Sequence, residues 1–119
     1  MSHGKAFHPR PDQTYKILAS FNYNYYLEAG NTISGYRGAL VVHEHQEGDN
    51  QKFRFIAADN GTFYIINVQF NGPVVADFEE PVPGEHIFID KAIDQNTDKW
   101  TITPGYRGYE IRLAKEKFS

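Results

Sequence analysis

The chain contains no cysteine among its 119 residues, and this absence excludes disulfide bonds, thiolate nucleophiles and zinc sites built on thiolates. It also has no apolar run long enough for a signal peptide or a membrane-spanning helix. We therefore expect a cytoplasmic protein with no membrane partner. The net charge of −3 and the pI near 5.9 provide no basic surface for a polyanion, so nucleic acid is not an expected partner.

Long amphipathic helical patterns are also missing, whereas aromatic residues and glycines are frequent. Phe, Trp and Tyr make up 15% of the chain, which has 10 glycines. Aromatic and β-branched side chains suit the pleated surface of a half-buried sheet, and glycine suits tight turns. The composition therefore predicts an all-β protein, and the length predicts a single domain over residues 1–119 with one core.

Three glycine-containing turns separate strand-like segments. Asn60-Gly61 lies between KFRFIA and TFYIINV, Asn71-Gly72 lies before PVVADF, and TPGYRG at 103–108 lies between KWTI and YEIRLA. Asn-Gly is the strongest short hairpin signal, because a type I′ turn needs positive φ at both central residues. These turns predict three β-hairpins.

An aromatic-x-Ile strand occurs three times, at Tyr15-Lys16-Ile17, Phe63-Tyr64-Ile65 and Tyr109-Glu110-Ile111, with spacings of 48 and 46 residues. The first two copies are each followed by three more strand-like segments, so a full unit has four strands. A repeat of this period predicts units that bury their apolar faces against one another. Two such units cannot close a propeller, and a β-trefoil of three units fits the length better.

The third unit is the difficulty for a trefoil, because only its first strand, GYEIRLA, precedes the end of the sequence. GKAFH at 4–8 precedes TYKI much as QKF and DKW precede the later aromatic strands. We therefore expect Phe7 to take the place of Phe53 and Trp100 in the third unit, with the N-terminal segment 1–13 supplying the sixth barrel strand. An unclosed barrel would instead leave an exposed edge and favour a homodimer.

The order of these segments resembles the ricin-B-like β-trefoil family. DNQKF and NTDKW are similar to the Q-x-W box of that family: the first keeps Gln51 and has Phe53 in place of Trp, and the second has Asp98 in place of Gln and keeps Trp100. The resemblance implies that the boxed aromatic residues belong to the core. We expect them to point into the barrel together with Ile17, Ile65 and Ile111.

The function that the resemblance implies is binding without catalysis. Cytoplasmic trefoils of this type include sugar-binding lectins and protease inhibitors of the mycocypin and cospin type. We therefore expect a partner that is a carbohydrate or glycoprotein, with a protease as the alternative and a non-binding subunit role as a third possibility. No cofactor is expected.

A sugar site in this family combines an acidic residue after the second strand, an aromatic platform and an Asn near the box. Carboxylates and amides hydrogen-bond sugar hydroxyls, and a ring covers the apolar face of the sugar. Carried over to the second unit, these residues are Asp77, His86 or Phe88 as the platform, Asn96 and Asp98. In the first unit they are Glu28, which stands in for the usual Asp, Tyr25 or Tyr26, Asn50 and Gln51.

The other sequence patterns give weaker evidence for a function. His43 and His45 share one face of a strand, but two imidazoles are not a metal site, and no metal is expected. The acidic, proline-containing loop at 77–85 suits contact with a protein partner. The tyrosine-rich segment 21–30 suits either stacking on a saccharide or contact with a protein. No serine lies in a nucleophile elbow, so the sequence predicts no enzyme.

Overall fold

A computed structural model of the chain describes residues 6–19, 24–33, 35–76, 87–106 and 108–114. Its strands are β1 (Tyr25–Ala29), β2 (Gly38–Glu44), β3 (Phe53–Ala57), β4 (Phe63–Asn67), β5 (Gly72–Ala76), β6 (Ile87–Ile89), β7 (Trp100–Pro104) and β8 (Tyr109–Leu113). The helical segments in these ranges are single 3₁₀ turns at Asp49–Gln51 and Asp59–Gly61, and neither is long enough to cross a membrane. The prediction of an all-β protein is confirmed.

The three predicted turns each join a pair of antiparallel strands. Asn60 and Gly61 have φ angles of 55° and 74° between β3 and β4, and Asn71 has a φ angle of 50° before β5. Asn and Gly reach this left-handed region at little cost, which is why they mark the turns. Between β7 and β8 the N–H of Gly105 donates to the C=O of Gly108 at 2.6 Å. The three predicted hairpins are confirmed.

The first and second units make the same strand contacts. The strands form one sheet in the order β1-β2-β6-β5-β4-β7-β8, with β3 also paired to β4. In the second unit, Phe63 at the start of β4 lies opposite Trp100, and the end of β4 pairs with β5. In the first unit, Tyr15 lies opposite Phe53, and the segment 15–18 bridges to β1. This segment is therefore the counterpart of β4.

The repeated strands surround a shared apolar layer. A cavity of about 180 Å³ is lined by apolar side chains that recur every 47 or 48 residues in the first two units. The lining residues are Ile17, Leu27, Leu40 and Phe53 from the first unit, Ile65, Val74, Ile87 and Trp100 from the second, and Ile111 from the third. Burying these side chains removes apolar surface from water, at about 25 cal/mol per Å². The units therefore share one core.

Four of the side chains predicted to point into the barrel differ in the fraction of their surface that is exposed to solvent. Phe53, Ile65 and Trp100 are buried, as expected. Ile111 faces the same cavity but remains 36% exposed. The difference arises because, in the described part of the chain, β8 has a neighbour on one side only. Among the residues that the structure describes, the third sector of the barrel is thus more open than the other two.

Phe7 enters the core at a different level from the one predicted. Residues 6–10 do not form a strand, and the Phe7 ring contacts the rings of Tyr15, Phe63 and Tyr109 at centroid distances of 6.5, 5.5 and 5.2 Å. These are the leading aromatic residues of the three aromatic-x-Ile strands. The Phe55 ring lies 5.0 Å away on the same level. Phe7 therefore joins an aromatic layer above the cavity.

The spacing of the turns explains this correction. Phe7 precedes Tyr15 by eight residues, as Phe55 precedes Phe63, whereas Phe53 precedes Phe63 by ten. By spacing, Phe7 therefore corresponds to Phe55 and does not take the place of Phe53 and Trp100. Residues 1–5, where the rest of the predicted sixth strand would lie, are outside the described residues.

Replacing Phe7 with Ala should lower the free energy of unfolding by about 2–3 kcal/mol, because it empties a half-buried ring position among four other aromatic rings. Urea denaturation followed by the fluorescence of Trp100 measures the change. Lys91→Ala is the control, since Lys91 is an exposed residue outside the strands, and it should stay within about 0.5 kcal/mol of the parent. Equal effects of the two substitutions would show that Phe7 is not part of the core.

Candidate functional site

The second unit brings three of its predicted site segments together at one end of β5. Val75 lies opposite Phe88 and Ala76 lies opposite Ile87 in the β5–β6 ladder. The backbone N–H of Ala76 donates to Oδ2 of Asp98 at 2.8 Å, which holds the turn before β7 against the end of β5. The strand end, the aromatic platform and the box segment are therefore neighbours.

Phe88 is half-buried and stacks on a residue that the sequence did not single out. Its ring lies parallel to the ring of Tyr36, with centroids 4.3 Å apart and planes inclined by 8°. Tyr36 belongs to the loop before β2 and is also half-buried. The two rings come from different units, so no local spacing predicts their contact. Together they form an extended aromatic surface beside β6.

Asp98 and Asn96 have opposite environments although they are two residues apart. Asp98 is buried, and its carboxylate accepts the Ala76 N–H, so it acts as a structural acceptor. Asn96 is exposed; its N–H donates to Oδ1 of Asp94 at 2.8 Å, and the Asp94 N–H donates to the Thr97 hydroxyl at 2.8 Å. The turn is thus held by its own groups, and the Asn96 side chain points to solvent.

Two predicted site residues, Asp77 and His86, lie outside the described residues. Asp77 follows Ala76, the last residue of β5, and His86 precedes Ile87, the first residue of β6. Both are therefore adjacent in sequence to the strand ends that carry the aromatic surface. The acidic loop 77–85 lies outside the described residues with them.

In the first unit, Gln51 is completely buried. Its Nε2 donates to Oε1 of Glu28 at 3.0 Å and to the C=O of Glu44 at 2.7 Å, and its Oε1 accepts the N–H of Gln46 at 3.0 Å. These bonds join β1, the end of β2 and the turn before β3. Gln51 and Glu28 therefore hold the first unit together and present no surface to a ligand.

The strand registers show how the two units correspond. Ala29 lies opposite Leu40 in the β1–β2 ladder, and Ala76 lies opposite Ile87 in the β5–β6 ladder. Each residue of the first pair precedes its counterpart by 47 residues. The same offset relates Gln51 to Asp98, so one position of the repeat carries a buried polar side chain in both units.

With this offset, Gly30 corresponds to Asp77. The prediction that Glu28 occupies the position of Asp77 is therefore wrong by two residues. Val41, which lies opposite Glu28, corresponds to the platform residue Phe88. The first unit thus has neither an acidic side chain nor an aromatic ring at the positions that carry them in the second.

Tyr25 and Asn50, the other first-unit residues predicted for a sugar site, also have internal contacts. Tyr25 is half-buried at the start of β1, where its C=O accepts the N–H of Ala19 at 2.9 Å. The Asn50 side chain donates to Oε1 of Gln46 at 3.2 Å. The half-buried Tyr26 ring packs against the His45 ring with a centroid distance of 5.6 Å. These residues support the loop before β3.

The paired histidines do not form a metal site with any group in the described ranges, where no cluster of three or more His, Asp or Glu side chains is found. The His45 Nε2 lies 2.7 Å from Nζ of Lys16.

At the β3–β4 turn, a hydrogen bond from Lys99 holds the pKa of Asp59 below its usual value, and the same bond raises the pKa of Lys99. The ion pair lies at the surface, with 34% of the Lys99 side chain and 64% of the Asp59 side chain exposed.

Comparison with solved structures identifies the fold. The chain is similar to the crystal structure of a designed 3-fold symmetric protein, ThreeFoil, with a TM-score of 0.70 and 15% sequence identity over 82% of this chain and 70% of that chain. The chain has the β-trefoil fold. No protein-family model matches the sequence, and no curated protein matches it either. The likeness therefore concerns the trefoil architecture and assigns no activity.

Gln51→Ala should lower the free energy of unfolding by about 3 kcal/mol or more, because it leaves the Glu28 carboxylate and two backbone groups without their buried partner. The neighbouring Asn50→Ala is the matched control: it removes a single half-buried hydrogen bond and should cost about 1 kcal/mol. Chemical denaturation of both variants checks the difference. If Gln51→Ala were no more destabilising than Asn50→Ala, the buried network would not hold the unit together.

Proposed function

We propose that this β-trefoil is a carbohydrate-binding protein of the ricin-B-like type, with one sugar site per chain in the second unit. The observation that carries the proposal is the stacked Tyr36–Phe88 pair, a half-buried aromatic surface beside the end of β5. Asp77 follows that strand end directly in the sequence. The aromatic surface and the carboxylate are the two chemical elements that a sugar site needs first.

The chemistry of the second unit suits a pyranose ring. The C–H face of a sugar packs on an aromatic ring, and hydroxyl groups at the edge of the sugar require donors and acceptors at the edge of the ring. Asn96 supplies an exposed amide beside the box, with both a donor and an acceptor. Asp77 supplies an acceptor for two vicinal hydroxyls. Asp98 supports the site from beneath by fixing the end of β5.

The register of the units favours the second unit over the first as the place of the sugar site. At the positions of Asp77 and Phe88 the first unit has Gly30 and Val41, which offer neither a carboxylate nor a ring. Glu28 and Gln51 are buried and hydrogen-bonded to each other. Binding in the first unit would require these buried groups to give up their partners, which costs more than a sugar hydrogen bond returns.

The proposal extends to the remaining properties of the protein. We take it to act without catalysis and without a cofactor, in the cytoplasm, on a free carbohydrate or a glycoprotein. The absence of cysteine is compatible with a reducing compartment. The fold supports a binding role, because trefoil loops presented on a rigid barrel are suited to recognition.

A glycan array identifies a bound sugar, and titration calorimetry then measures its affinity for variants. Asp77→Asn and Phe88→Ala should each weaken binding by roughly 10- to 100-fold, which corresponds to the loss of a charge-assisted hydrogen bond or of a stacked ring. Asn96→Ala should weaken it by about 3- to 10-fold. Phe88→Leu serves as a second platform variant that keeps apolar volume, in case Phe88→Ala unfolds.

The matched control is Val41→Ala, which alters the first-unit counterpart of Phe88 on an exposed face of β2. It should leave the affinity unchanged. A bound sugar whose affinity does not respond to Asp77 or Phe88 would contradict the second-unit site. Silence on the array together with inhibition of a serine or cysteine protease would instead support the inhibitor alternative.

A further inference from the structure

The outer edge of β8 is exposed in a way that the equivalent strand of the second unit is not. β4 has β3 on one side and β7 and β5 on the other. β8 pairs with β7 along its whole length, and no other strand within the described ranges pairs with it. As a result Ile111 is 36% exposed, whereas its counterpart Ile65 is 3% exposed. An open strand edge is a template for pairing with another strand.

The β7–β8 ladder fixes which backbone groups face this open side. The N–H of Ala114 donates to the C=O of Lys99 at 2.9 Å, and the N–H of Gly105 donates to the C=O of Gly108 at 2.6 Å. In an antiparallel ladder, alternate residues direct both backbone groups to the same neighbour. The even-numbered residues of β8 therefore face β7, and the N–H and C=O of Ile111 face away from it.

The first unit shows which hydrogen bond the backbone makes at this position when a neighbouring strand is present. Ile17 is the counterpart of Ile111, and its C=O accepts the N–H of Leu27 in β1 at 2.9 Å. The described part of the third unit contains no strand equivalent to β1. The backbone of Ile111 is thus oriented for a strand that another polypeptide can supply.

The sequence of β8 is complementary to itself. We propose that two copies of the chain pair through β8 as antiparallel strands, with Ile111 opposite Ile111 of the second copy. In this register Glu110 lies opposite Arg112 of the second copy, and Arg112 lies opposite the second Glu110. The two Ile111 residues exchange both backbone hydrogen bonds. Opposite charges directly across an antiparallel pair are stabilising and like charges are destabilising, so this register is selected over its neighbours.

Surface exposure around β8 supports the same interface. A groove of about 820 Å³ runs between the segment 15–18 and β8. Leu18 and Ile111 border it with 42% and 36% of their surface exposed. Within one chain, Arg112 Nη2 and Glu110 Oε2 are 2.7 Å apart and both side chains are largely exposed. An exposed pair of this kind is weak, so each side chain can turn to the second copy at little cost.

Reversing the charges of Glu110 and Arg112 tests the register proposed for the two β8 strands. The dimer dissociation constant is measured by analytical ultracentrifugation of the full chain across a concentration series. The parent chain should sediment as a dimer of twice 13.6 kDa at high concentration. Glu110→Arg places arginines opposite each other and Arg112→Glu places glutamates opposite each other, so each should raise the dimer dissociation constant about tenfold or more. The double variant E110R/R112E restores opposite charges and should return the constant to within about threefold of the parent.

Arg54→Glu is the control, because Arg54 is an exposed arginine on β3 away from the proposed interface, and it should not change the dissociation constant. Circular dichroism establishes that each variant is folded. A parent chain that stays monomeric at about 0.5 mM, well above the dissociation constants of stable dimers, would overturn the proposal. A dimer whose dissociation constant is unchanged in both single charge-reversal variants would overturn it as well.

A cross-linking measurement covers the case in which a charge variant does not fold. The chain has no cysteine, so Ile111→Cys introduces a single thiol. Residues in a hydrogen-bonded antiparallel pair have Cα atoms about 5.5 Å apart, within the range that a disulfide bridges. Mild oxidation should therefore convert Ile111→Cys to a covalent dimer much faster than Ile56→Cys, whose parent residue is similarly exposed at 38% but lies on β3. Equal rates would contradict the pairing.

Discussion

The apolar layer on the pseudo-threefold axis is the interaction on which the remaining structure depends. Phe53 and Trp100 do not pack against their own units alone, because the cavity that both line is also lined by residues of the other units. Each unit therefore gains its apolar burial from the others. The aromatic layer above, where Phe7 contacts the leading rings of three repeated strands, adds a second level of the same kind.

Polar residues then fix how each unit attaches to this core. Gln51 and Asp98 occupy the same position of the repeat and are both buried, yet they bind different partners: Gln51 joins a side chain and two backbone groups, and Asp98 accepts the N–H of Ala76. The position requires a buried polar side chain and tolerates a change in its chemistry when the partner changes. This accounts for the different residues that DNQKF and NTDKW carry at the same position of the repeat.

Much of the fold is readable from the sequence because it depends on spacing. Aromatic-x-Ile strands recur at intervals of 48 and 46 residues, which predicts the repeat and, with the chain length, the trefoil. The Asn-Gly turns predict hairpins by their residue types, and the burial of Phe53 and Trp100 is implied by the resemblance of their segments to the Q-x-W box. The misplaced Glu28 has a physical cause: a shift of two residues along a strand keeps every side chain on the same face, so alternation cannot detect the error. A pattern of polar and apolar residues fixes the face and not the register.

Other features depend on contacts that no local pattern encodes. Tyr36 and Phe88 come from different units, and the burial of Gln51 and Asp98 follows from what packs over them. The level of Phe7 was predictable in principle, since its distance from Tyr15 matches that of Phe55 from Phe63. The shared apolar layer is tested most directly by nuclear Overhauser effects from the δ1 methyl groups of Ile17, Ile65 and Ile111 to the rings of Phe53 and Trp100. Contacts from all three methyl groups are expected, and their absence for Ile17 and Ile111 would show that the units do not meet on one axis.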